Sequence, residues 1–388
     1  MMKIIRKSPW AFIVLMGVIS LFSDMTHEGA RSITGPYLAM LGASATVVGF
    51  VAGFGELIGY ALRLVTGFIA DKTKRYWTIT VVGYLINLFA VPALALAGSW
   101  QMAAVLMLVE RMGRAIRNPA RDTMLSHATS SVGHGKGFGL HEALDQIGAV
   151  TGPLIVGAVY YFSDSYHKSF AILLVPAIIA ISILMVARFV YPHTTEMEVQ
   201  PTPKKQTSFK HFYWIYLMAV SLIAAGFADY PLIAFHFHKT GQVEADWIPV
   251  MYAVAMGVDA LAALILGRVF DKHGMIALII STVFSAAFAP LVFMGNFYTA
   301  ILGMFCWGIG MAAQESVMRA VLATILPVEK RATGFGIFNA VFGLFWFLGS
   351  FLMGWLYDVS IPWLMVFSVG MQLVSIPFFI KLSRKSLT

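Results

Sequence analysis

Four arginines recur at helical spacing in one predicted helix, and their chemistry suits an anion. They are separated by three, three and four residues, so at about 100° per residue they fall within an arc of about 120°. Each guanidinium stays protonated and presents a fork of donors that fits a carboxylate or a phosphate. The spacing therefore predicts an anion-binding face. The arginines are Arg111, Arg114, Arg117 and Arg121.

The same arginines could instead form a lattice of internal ion pairs. For Arg117 and Arg121 we favour this lattice, with Glu142 and Asp145 as partners. For Arg111 and Arg114, ligand binding and ion pairing are both kept as interpretations. The acids that could neutralise the arginines are Asp24, Glu28, Glu56, Glu142 and Asp145.

A second constellation occupies the first predicted span, where Asp24, Glu28 and Arg31 share a face at spacings of four and three residues. Burial and nearby arginines act in opposite directions on such a carboxylate, which makes it a candidate proton carrier. The alternative is a static ion pair. The proton-coupling candidates are Asp24, Glu28, Glu142 and Asp145. The substrate-binding candidates are Arg31, Arg111, Arg114, Arg117, Asp229, Gln314 and Glu315.

A divalent metal is a further candidate ligand for Asp24, His27 and Glu28. Soft ligands are scarce, because Cys306 is the only cysteine. Histidines among aromatic residues near a span end are also typical of a membrane interface. We therefore expect no bound metal and no cofactor. Additional ligands could come from Asp229, His236 or His238.

The composition shows which elements must position these side chains. Of the 388 residues, 59% are hydrophobic and 12% charged, about half the charged share of a soluble domain. This excludes a disordered chain, a coiled coil and an ordinary cytosolic enzyme. The net charge of +8 is explained by basic loops on one side of a membrane, so no nucleic-acid partner is expected.

Twelve segments are long and apolar enough to cross about 30 Å of hydrocarbon. The basic N-terminus leads into an uncleaved first span. The polar stretch 193–210 predicts a linker between six-helix bundles at 1–192 and 211–388. The predicted spans are 10–34, 44–70, 76–98, 101–125, 135–162, 168–191, 211–238, 246–270, 275–295, 297–324, 331–358 and 361–382.

The orientation follows from the lysines and arginines between the spans. Eighteen of them fall on the side of the N-terminus, against Lys168 and Lys239 on the other. The positive-inside rule then places both termini in the cytoplasm. We expect a multi-pass protein of a bacterial inner membrane, in contact with lipid and monomeric.

Two short patterns recur between the halves. Gly67-Phe-Ile-Ala-Asp71-Lys72 returns as Gly267-Arg-Val-Phe-Asp271-Lys272, an offset of 200 residues. Gly-Phe-Gly at 137–139 returns at 334–336, an offset of 197. The near-equal offsets predict an all-α membrane protein of twelve transmembrane helices in two parallel six-helix repeats. Such repeats are typical of transporters with a site between the halves.

The loop after the second span resembles a motif of the Major Facilitator Superfamily, G-x-x-x-D-(R/K)-x-G-(R/K)-(R/K). Here Lys74 stands where the motif has glycine, whereas the second copy keeps Gly274. The resemblance covers essentially the whole chain. It implies that spans 1, 4, 7 and 10 line a central cavity and that the loops form a cytoplasmic latch. The latch residues would be Asp71, Lys72, Arg75 and Asp271.

The fifth span contains Gly148-x-x-x-Gly152-Pro153-x-x-x-Gly157, which resembles the antiporter motif of exporters in the superfamily. It implies a gating role for Gly152 and Pro153. The leading interpretation is therefore a secondary active transporter that exports a small organic solute, coupled to protons. The alternatives are a proton-coupled importer of an anionic metabolite and a divalent-metal transporter.

An enzyme or an ATP-driven pump is not expected. Gly135-Lys136-Gly137 lacks the spacing of a P-loop, and the sequence contains no catalytic triad or cofactor fingerprint. A channel or a receptor is the other class of membrane protein considered, and the internal duplication with its gate-like loops argues against it.

Overall fold

The computed structural model describes residues 8–132, 134–194, 211–326 and 331–385. Within these ranges the chain is helical and contains no β-strand. The predicted linker 193–210 lies almost wholly outside the described residues. The basic residues Lys3, Arg6, Lys7 and Lys330, used for the orientation, lie outside them as well.

The first six predicted spans fold as seven α-helices and a short 3₁₀ helix, Leu94–Leu96. The fourth is a 33-residue helix that contains all four arginines of the stripe. The sixth is divided in two by a short turn at 172–173. The helices are α1 (Pro9–Met40), α2 (Ala45–Thr73), α3 (Tyr76–Ala93), α4 (Trp100–Val132), α5 (His134–Ser163), α6 (Tyr166–Ala171) and α7 (Leu174–Val190).

The last six predicted spans fold as nine helices, because three of them are interrupted. A π-helical turn at Ala313–Val317 joins α13 to α14. The helices are α8 (His211–Gly226), α9 (Tyr230–Thr240), α10 (Trp247–His273), α11 (Ile276–Ala286), α12 (Phe288–Phe293), α13 (Phe297–Ala312), α14 (Met318–Ile325), α15 (Arg331–Val359) and α16 (Ile361–Lys385).

Eleven segments of the described chain are long and apolar enough to cross a membrane, so the protein is a multi-pass membrane protein. Each coincides with one of the twelve predicted spans. The remaining predicted span, 101–125, folds as α4. Its charged residues separate it from the other eleven, since each charge at mid-bilayer costs at least about 2.5 kcal/mol.

The chain divides into two units. The first comprises Met1–Ile33 and Ile58–Thr202. Its α3 and α4 approach so closely that a Cβ on Gly83 would lie 2.6 Å from the Arg117 backbone nitrogen. A Cβ on Gly113 would clash with the backbone of Asn87. Two glycines therefore fix α4 against α3 at the level of the arginine stripe.

The second unit comprises Thr34–Leu57 and Pro203–Thr388. Here the first turns of α2 pack against α15, where a Cβ on Gly49 would clash with the Ser350 carbonyl. Asp358, at the end of α15, caps the N-terminus of α2. Its carboxylate accepts the Thr46 N–H at 2.8 Å and the Thr46 hydroxyl at 2.6 Å. An acidic group at a helix N-terminus satisfies donors that the helix leaves unpaired.

The seventh predicted span is broken between α8 and α9. Its freed carbonyls are satisfied by side chains from elsewhere in the second unit. Trp307 Nε1 donates to the Ala228 carbonyl at 2.9 Å. Ser368 Oγ donates to the Gly226 carbonyl at 2.6 Å, and Gln372 Nε2 donates to the same oxygen at 3.2 Å. Such partners let irregular backbone persist at membrane depth.

Candidate functional site

The first unit contains a buried polar network between α1, α3 and α4. It joins the two constellations singled out from the sequence, the acids of α1 and the arginines of α4. Its position follows from the glycine contact of α3 with α4, which brings both helices together at this level. We call it the arginine network and define it by eight residues besides Asn87. They are Asp24, His27, Glu28, Arg31, Glu110, Arg111, Arg114 and Arg117.

Glu110 is the centre of the network. Its Oε1 lies 2.7 Å from His27 Nδ1 and 2.6 Å from Asn87 Nδ2. Its Oε2 lies 3.5 Å from Arg111 Nε. Three donors from three helices thus converge on one buried carboxylate, which is how a charge is accommodated in a dry interior.

His27 links Glu110 to the arginines. Because a carboxylate only accepts hydrogen bonds, the contact with Glu110 assigns a proton to Nδ1. The other ring nitrogen, Nε2, contacts Arg114 Nη1 and lies 3.5 Å from Arg111 Nη1. It also lies 3.5 Å from Glu28 Oε1. The ring therefore has an acid on one side and two guanidinium groups and an acid on the other.

Glu28 is shared by two arginines. Its Oε2 lies 3.8 Å from Arg31 Nη1, and its Oε1 lies 3.8 Å from Arg114 Nη1. The exposed fraction of the Arg114 side chain is 23%, against 13% for Arg111, 9% for Arg31 and 1% for Arg117. Arg114 is thus the arginine of the network that a solute reaches most readily.

Arg117 and Arg121 have different surroundings from Arg111 and Arg114. Arg117 is buried, with its guanidinium 4.2 Å from the centre of the Tyr84 ring and 3.9 Å from Asp24 Oδ1. Arg121 pairs with its neighbour Asp122 at 2.8 Å and donates to Ser20 Oγ at 3.3 Å. The acids in contact with Arg117 and Arg121 are thus Asp24 and Asp122. Of the partners expected from the sequence, Asp145 interacts electrostatically with Arg121.

Of the two acids of α5, Asp145 interacts electrostatically with Asp24 of the arginine network and with Arg121. Asp145 Oδ2 is 3.4 Å from His141 Nδ1, one turn earlier on the same helix. Glu142 is exposed. The proposed proton-coupling set therefore comprises Asp24 and Glu28 within the network, Asp145, which interacts electrostatically with Asp24, and the exposed Glu142.

The glycines of the fifth span form a close contact with α1. A Cβ on Gly148 would clash with the Leu21 carbonyl, and one on Gly152 would clash with the Met25 carbonyl. Pro153 follows inside the same helix. These residues hold the backbone of α1 against α5, one turn before His27.

The latch candidates lie at helix ends. Asp71 and Lys72 are exposed in the last turn of α2, and Arg75 is exposed before α3. Lys74, which replaces the glycine of the motif, has a φ of 55°. Gly274 in the second copy has a φ of 59°, so both copies require the positive φ that favours glycine. Asp271 is exposed in the last turn of α10.

The candidates of the second unit lie at irregular points of its helices. Asp229 is buried at the start of α9, where its carboxylate accepts the Tyr230 N–H at 2.9 Å. Gln314 and Glu315 lie in the π-helical turn, and Gln314 is buried. π-turns occur often at functional sites, so this placement supports their selection.

Of the three histidines considered for metal binding, His236 uses both ring nitrogens in hydrogen bonds. His236 Nδ1 lies 3.0 Å from the Tyr357 hydroxyl, and Nε2 lies 3.0 Å from Gln242 Oε1. Among the residues that the structure describes, no group of three or more histidine, cysteine, aspartate or glutamate side chains is placed to hold a metal ion.

Two members of the network were missed as partners from sequence. Glu110 was not among the acids proposed for the arginines, and Asn87 was not selected at all. The available signals were a carboxamide inside an apolar run of the third span and an acid directly before Arg111. Neither signal predicts which residue the side chain contacts, because the pairing of Asn87 with Glu110 depends on how α3 packs against α4.

Comparison with known proteins gives a family and a fold. A family model described as Major Facilitator Superfamily matches residues 10–237 and 213–387. An uncharacterized protein of Mycobacterium tuberculosis is 37% identical over 386 residues, covering 97% of this chain and 94% of the relative. An uncharacterized MFS-type transporter of Methanocaldococcus jannaschii is 27% identical, covering 90% of this chain and 89% of the relative.

Solved transporter structures share the fold at low sequence identity. The nucleoside transporter NupG, in a mutant form, superposes with a TM-score of 0.77 at 13% identity, covering 96% of this chain and 99% of its own. A bacterial homolog of the lysosomal transporter Spinster, in an inward-facing state, gives 0.73 at 14% identity, covering 97% and 98%. These likenesses concern the fold alone.

Proposed function

The chain belongs to the Major Facilitator Superfamily, and from that premise we propose that it is a proton-coupled secondary transporter of a small organic anion. Secondary transport, rather than enzymatic catalysis, follows from the family. The anionic class of the solute and the coupling to protons are supported by the arginine network.

The charge balance of the network is the observation that carries the proposal. Its four arginines outnumber its three acids, so with His27 neutral the formal charge of these eight residues is +1. Guanidinium groups within the spans of a membrane protein mark a candidate binding site. A carboxylate or phosphate reaching Arg114 would meet a bidentate donor and balance the charge.

The arrangement in the membrane completes the proposal. We propose that α4 is the twelfth span, because it is long enough and its charges have partners on α1 and α3. The basic loops support cytoplasmic termini and a bacterial inner membrane. The recurrent patterns support two parallel repeats, at 1–192 and 211–388. We propose that the transporter works as a monomer by alternating access.

The direction of transport is open between export and import. Export was inferred from the glycines of α5, but their contacts with Leu21 and Met25 already account for them as packing residues. A divalent-metal cargo is not favoured, because the network presents more guanidinium groups than carboxylates. Of the alternatives, a proton-coupled importer of an anionic metabolite therefore gains support.

The test is ligand binding to the purified full chain in detergent. The panel contains monocarboxylates, dicarboxylates, phosphate esters, lipophilic cations, sugars and divalent metals. A ligand at 100 times its Kd raises the free energy of unfolding by about 2.7 kcal/mol. We expect stabilisation by one of the anion classes and its loss in Arg114→Ala.

The matched control is Arg188→Ala, which removes an exposed arginine from the last turn of α7, outside the network. It should retain the response to the anion. Stabilisation by cations, sugars or metals alone, unchanged in Arg114→Ala, would refute the anionic substrate.

A further inference from the structure

We propose that His27 is the coupling residue of this transporter, and that proton and anion bind with positive cooperativity because protonation of Nε2 transfers the ring from Arg114 to Glu28. The inference rests on the proposed function and names the residue and the sign of its coupling.

The geometry leaves one site for an additional proton. Nδ1 already donates to Glu110 at 2.7 Å, so the ring can take up a proton only at Nε2. In the neutral ring Nε2 has a lone pair, which accepts from the Arg114 guanidinium that it contacts. The contact of Nε2 with the Arg114 guanidinium is therefore one that a neutral ring can make.

Protonation of His27 Nε2 would make its contact with Arg114 unfavourable. A protonated Nε2 is a donor, and it would face two further donors, Arg114 Nη1 and Arg111 Nη1. The acceptor within reach is Glu28 Oε1, 3.5 Å away. A small rotation of the ring or of the Glu28 side chain would exchange one partner for the other, and Arg114 would be released from the ring.

The surrounding charges set the sign of the effect. A proton on His27 raises the formal charge of the network from +1 to +2, and it repels Arg111 and Arg114 while it attracts Glu28 and Glu110. An anion at Arg114 is then bound more tightly. The groups in contact with the ring are Glu28 of α1 and Glu110, Arg111 and Arg114 of α4. Around them lie Arg31, Asn87, Asp24 and Arg117, which contact Glu28, Glu110 or each other, and Asp145 of α5, which interacts electrostatically with Asp24.

The coupling between proton and anion acts equally in both directions. If a proton increases the affinity for the anion, the anion increases the affinity for the proton by the same factor. Solute and proton would then load together and cross together. This corresponds to symport, and with an inward proton gradient it means uptake, the opposite of the direction inferred from the fifth span.

The acids of the network are less suited to this role. Glu110 is contacted by three donors on three helices. Glu28 is shared by Arg31 and Arg114. His27 has both guanidinium groups and the Glu28 carboxylate within reach of Nε2, so a single proton there changes the partner with which it can form a hydrogen bond.

The experiment measures the affinity of the purified full chain for lactate and benzoate between pH about 5.5 and 8, where histidine ordinarily titrates. Both probes remain monoanions over this range. We expect the affinity of the wild type to rise by about tenfold as the pH falls, within the usual range of coupling between two sites. In His27→Gln, which keeps a donor for Glu110, the affinity should become independent of pH.

Two further variants keep the result interpretable. His167→Gln removes an exposed histidine outside the network and should leave the pH profile of the wild type unchanged. Glu28→Gln retains His27 but weakens the acceptor for its protonated form, so it should reduce the rise at low pH even if His27→Gln does not fold.

The outcomes separate this inference from the proposed function. If the wild type binds a probe but more weakly at low pH, or if His27→Gln keeps the pH profile, the coupling role of His27 is refuted while anion transport stands. If neither probe nor any anion of the wider panel binds to the wild type, both proposals fail.

Discussion

Arginines that are equivalent by helical spacing meet different surroundings in the fold. Arg114 lies at the partly exposed edge of the network, whereas Arg117, three residues later, is enclosed between Tyr84 and Asp24. A guanidinium stacked on an aromatic ring and facing a single carboxylate is typical of a structural contact. We therefore assign different consequences to mutations one turn apart.

The first prediction concerns the pair of Arg117 and Asp24. Arg117→Met leaves the buried Asp24 carboxylate without the arginine that it faces, so it should lower the free energy of unfolding by about 3 kcal/mol. Asp24→Asn should also destabilise the protein, since it leaves the buried guanidinium without its acid. The measurement is a double-mutant cycle from unfolding in detergent.

In that cycle the double variant should be more stable than the sum of the single effects predicts, by at least about 1 kcal/mol. Strictly additive effects would contradict a direct interaction. Arg188→Met is the control, because it replaces an exposed arginine on α7 and should change stability little.

The residue types and spacings predicted much of the site, and the partners within it were less accessible. Arg111, Arg114, Asp24 and Glu28 were selected because charges in an apolar chain need a reason. Glu110 as the central acceptor depends on Asn87 and His27, which approach it from two other helices. That contact is set by helix packing over sequence distances that no local pattern encodes.

At the scale of elements, the contact between α1 and α5 determines where His27 stands. Gly148 and Gly152 bring the α5 backbone against the carbonyls of Leu21 and Met25. The contact lies within one turn of the network. Its close fit fixes the height and rotation of α1, which in turn aims the ring of His27 at α4.

The second prediction follows from this contact. Gly148→Ala and Gly152→Ala should each destabilise the protein by about 1–3 kcal/mol, because the added methyl group overpacks a backbone contact. The measurement is thermal or denaturant unfolding of the purified variants, together with the pH profile of anion binding, which a displaced His27 should alter.

Gly59→Ala serves as the control, since a Cβ there would meet no atom within 4 Å. Alanine is favoured over glycine within a helix by about 0.5–1 kcal/mol, so this variant should be neutral or more stable. An equal loss of stability in all three variants would show that the contact with α1 is not the cause.

Helical spans were also more predictable than their interruptions. Hydropathy located the eleven segments of the described chain that are long and apolar enough to cross a membrane, because a span must satisfy its backbone hydrogen bonds within itself in lipid. The break between α8 and α9 was not predicted. It persists because Trp307, Ser368 and Gln372 satisfy the freed carbonyls, and these residues lie far away in the sequence.

At the scale of the whole molecule, the distribution of basic residues gives a prediction of sidedness. Cys306 is the only cysteine and is buried, so Cys306→Ser provides a background for single-cysteine labelling. In this background Lys74→Cys should react with an impermeant maleimide only from the cytoplasmic side. Lys239→Cys should react only from the opposite side.

Both lysines are exposed in the structure, so access of the reagent is not limited by burial. The measurement is labelling of intact cells against inverted membrane vesicles. Labelling of both positions from one side, or of each position from the side opposite to that expected, would overturn the proposed orientation.

The low apolarity of α4 has a consequence for how the protein is made. A helix with six charged residues between Glu110 and Asp122 does not partition into a bilayer by itself, at about 2.5–3.5 kcal/mol for each charge near its centre. During synthesis α1 and α3 leave the ribosome earlier, and they contribute Asp24, His27, Glu28 and Asn87. In the proposed twelve-span arrangement, these side chains form the polar surface against which α4 enters the membrane. Loss of an acid from α1 should therefore impair membrane insertion before it impairs transport. We expect such a variant to insert with the wrong number of spans and to be degraded.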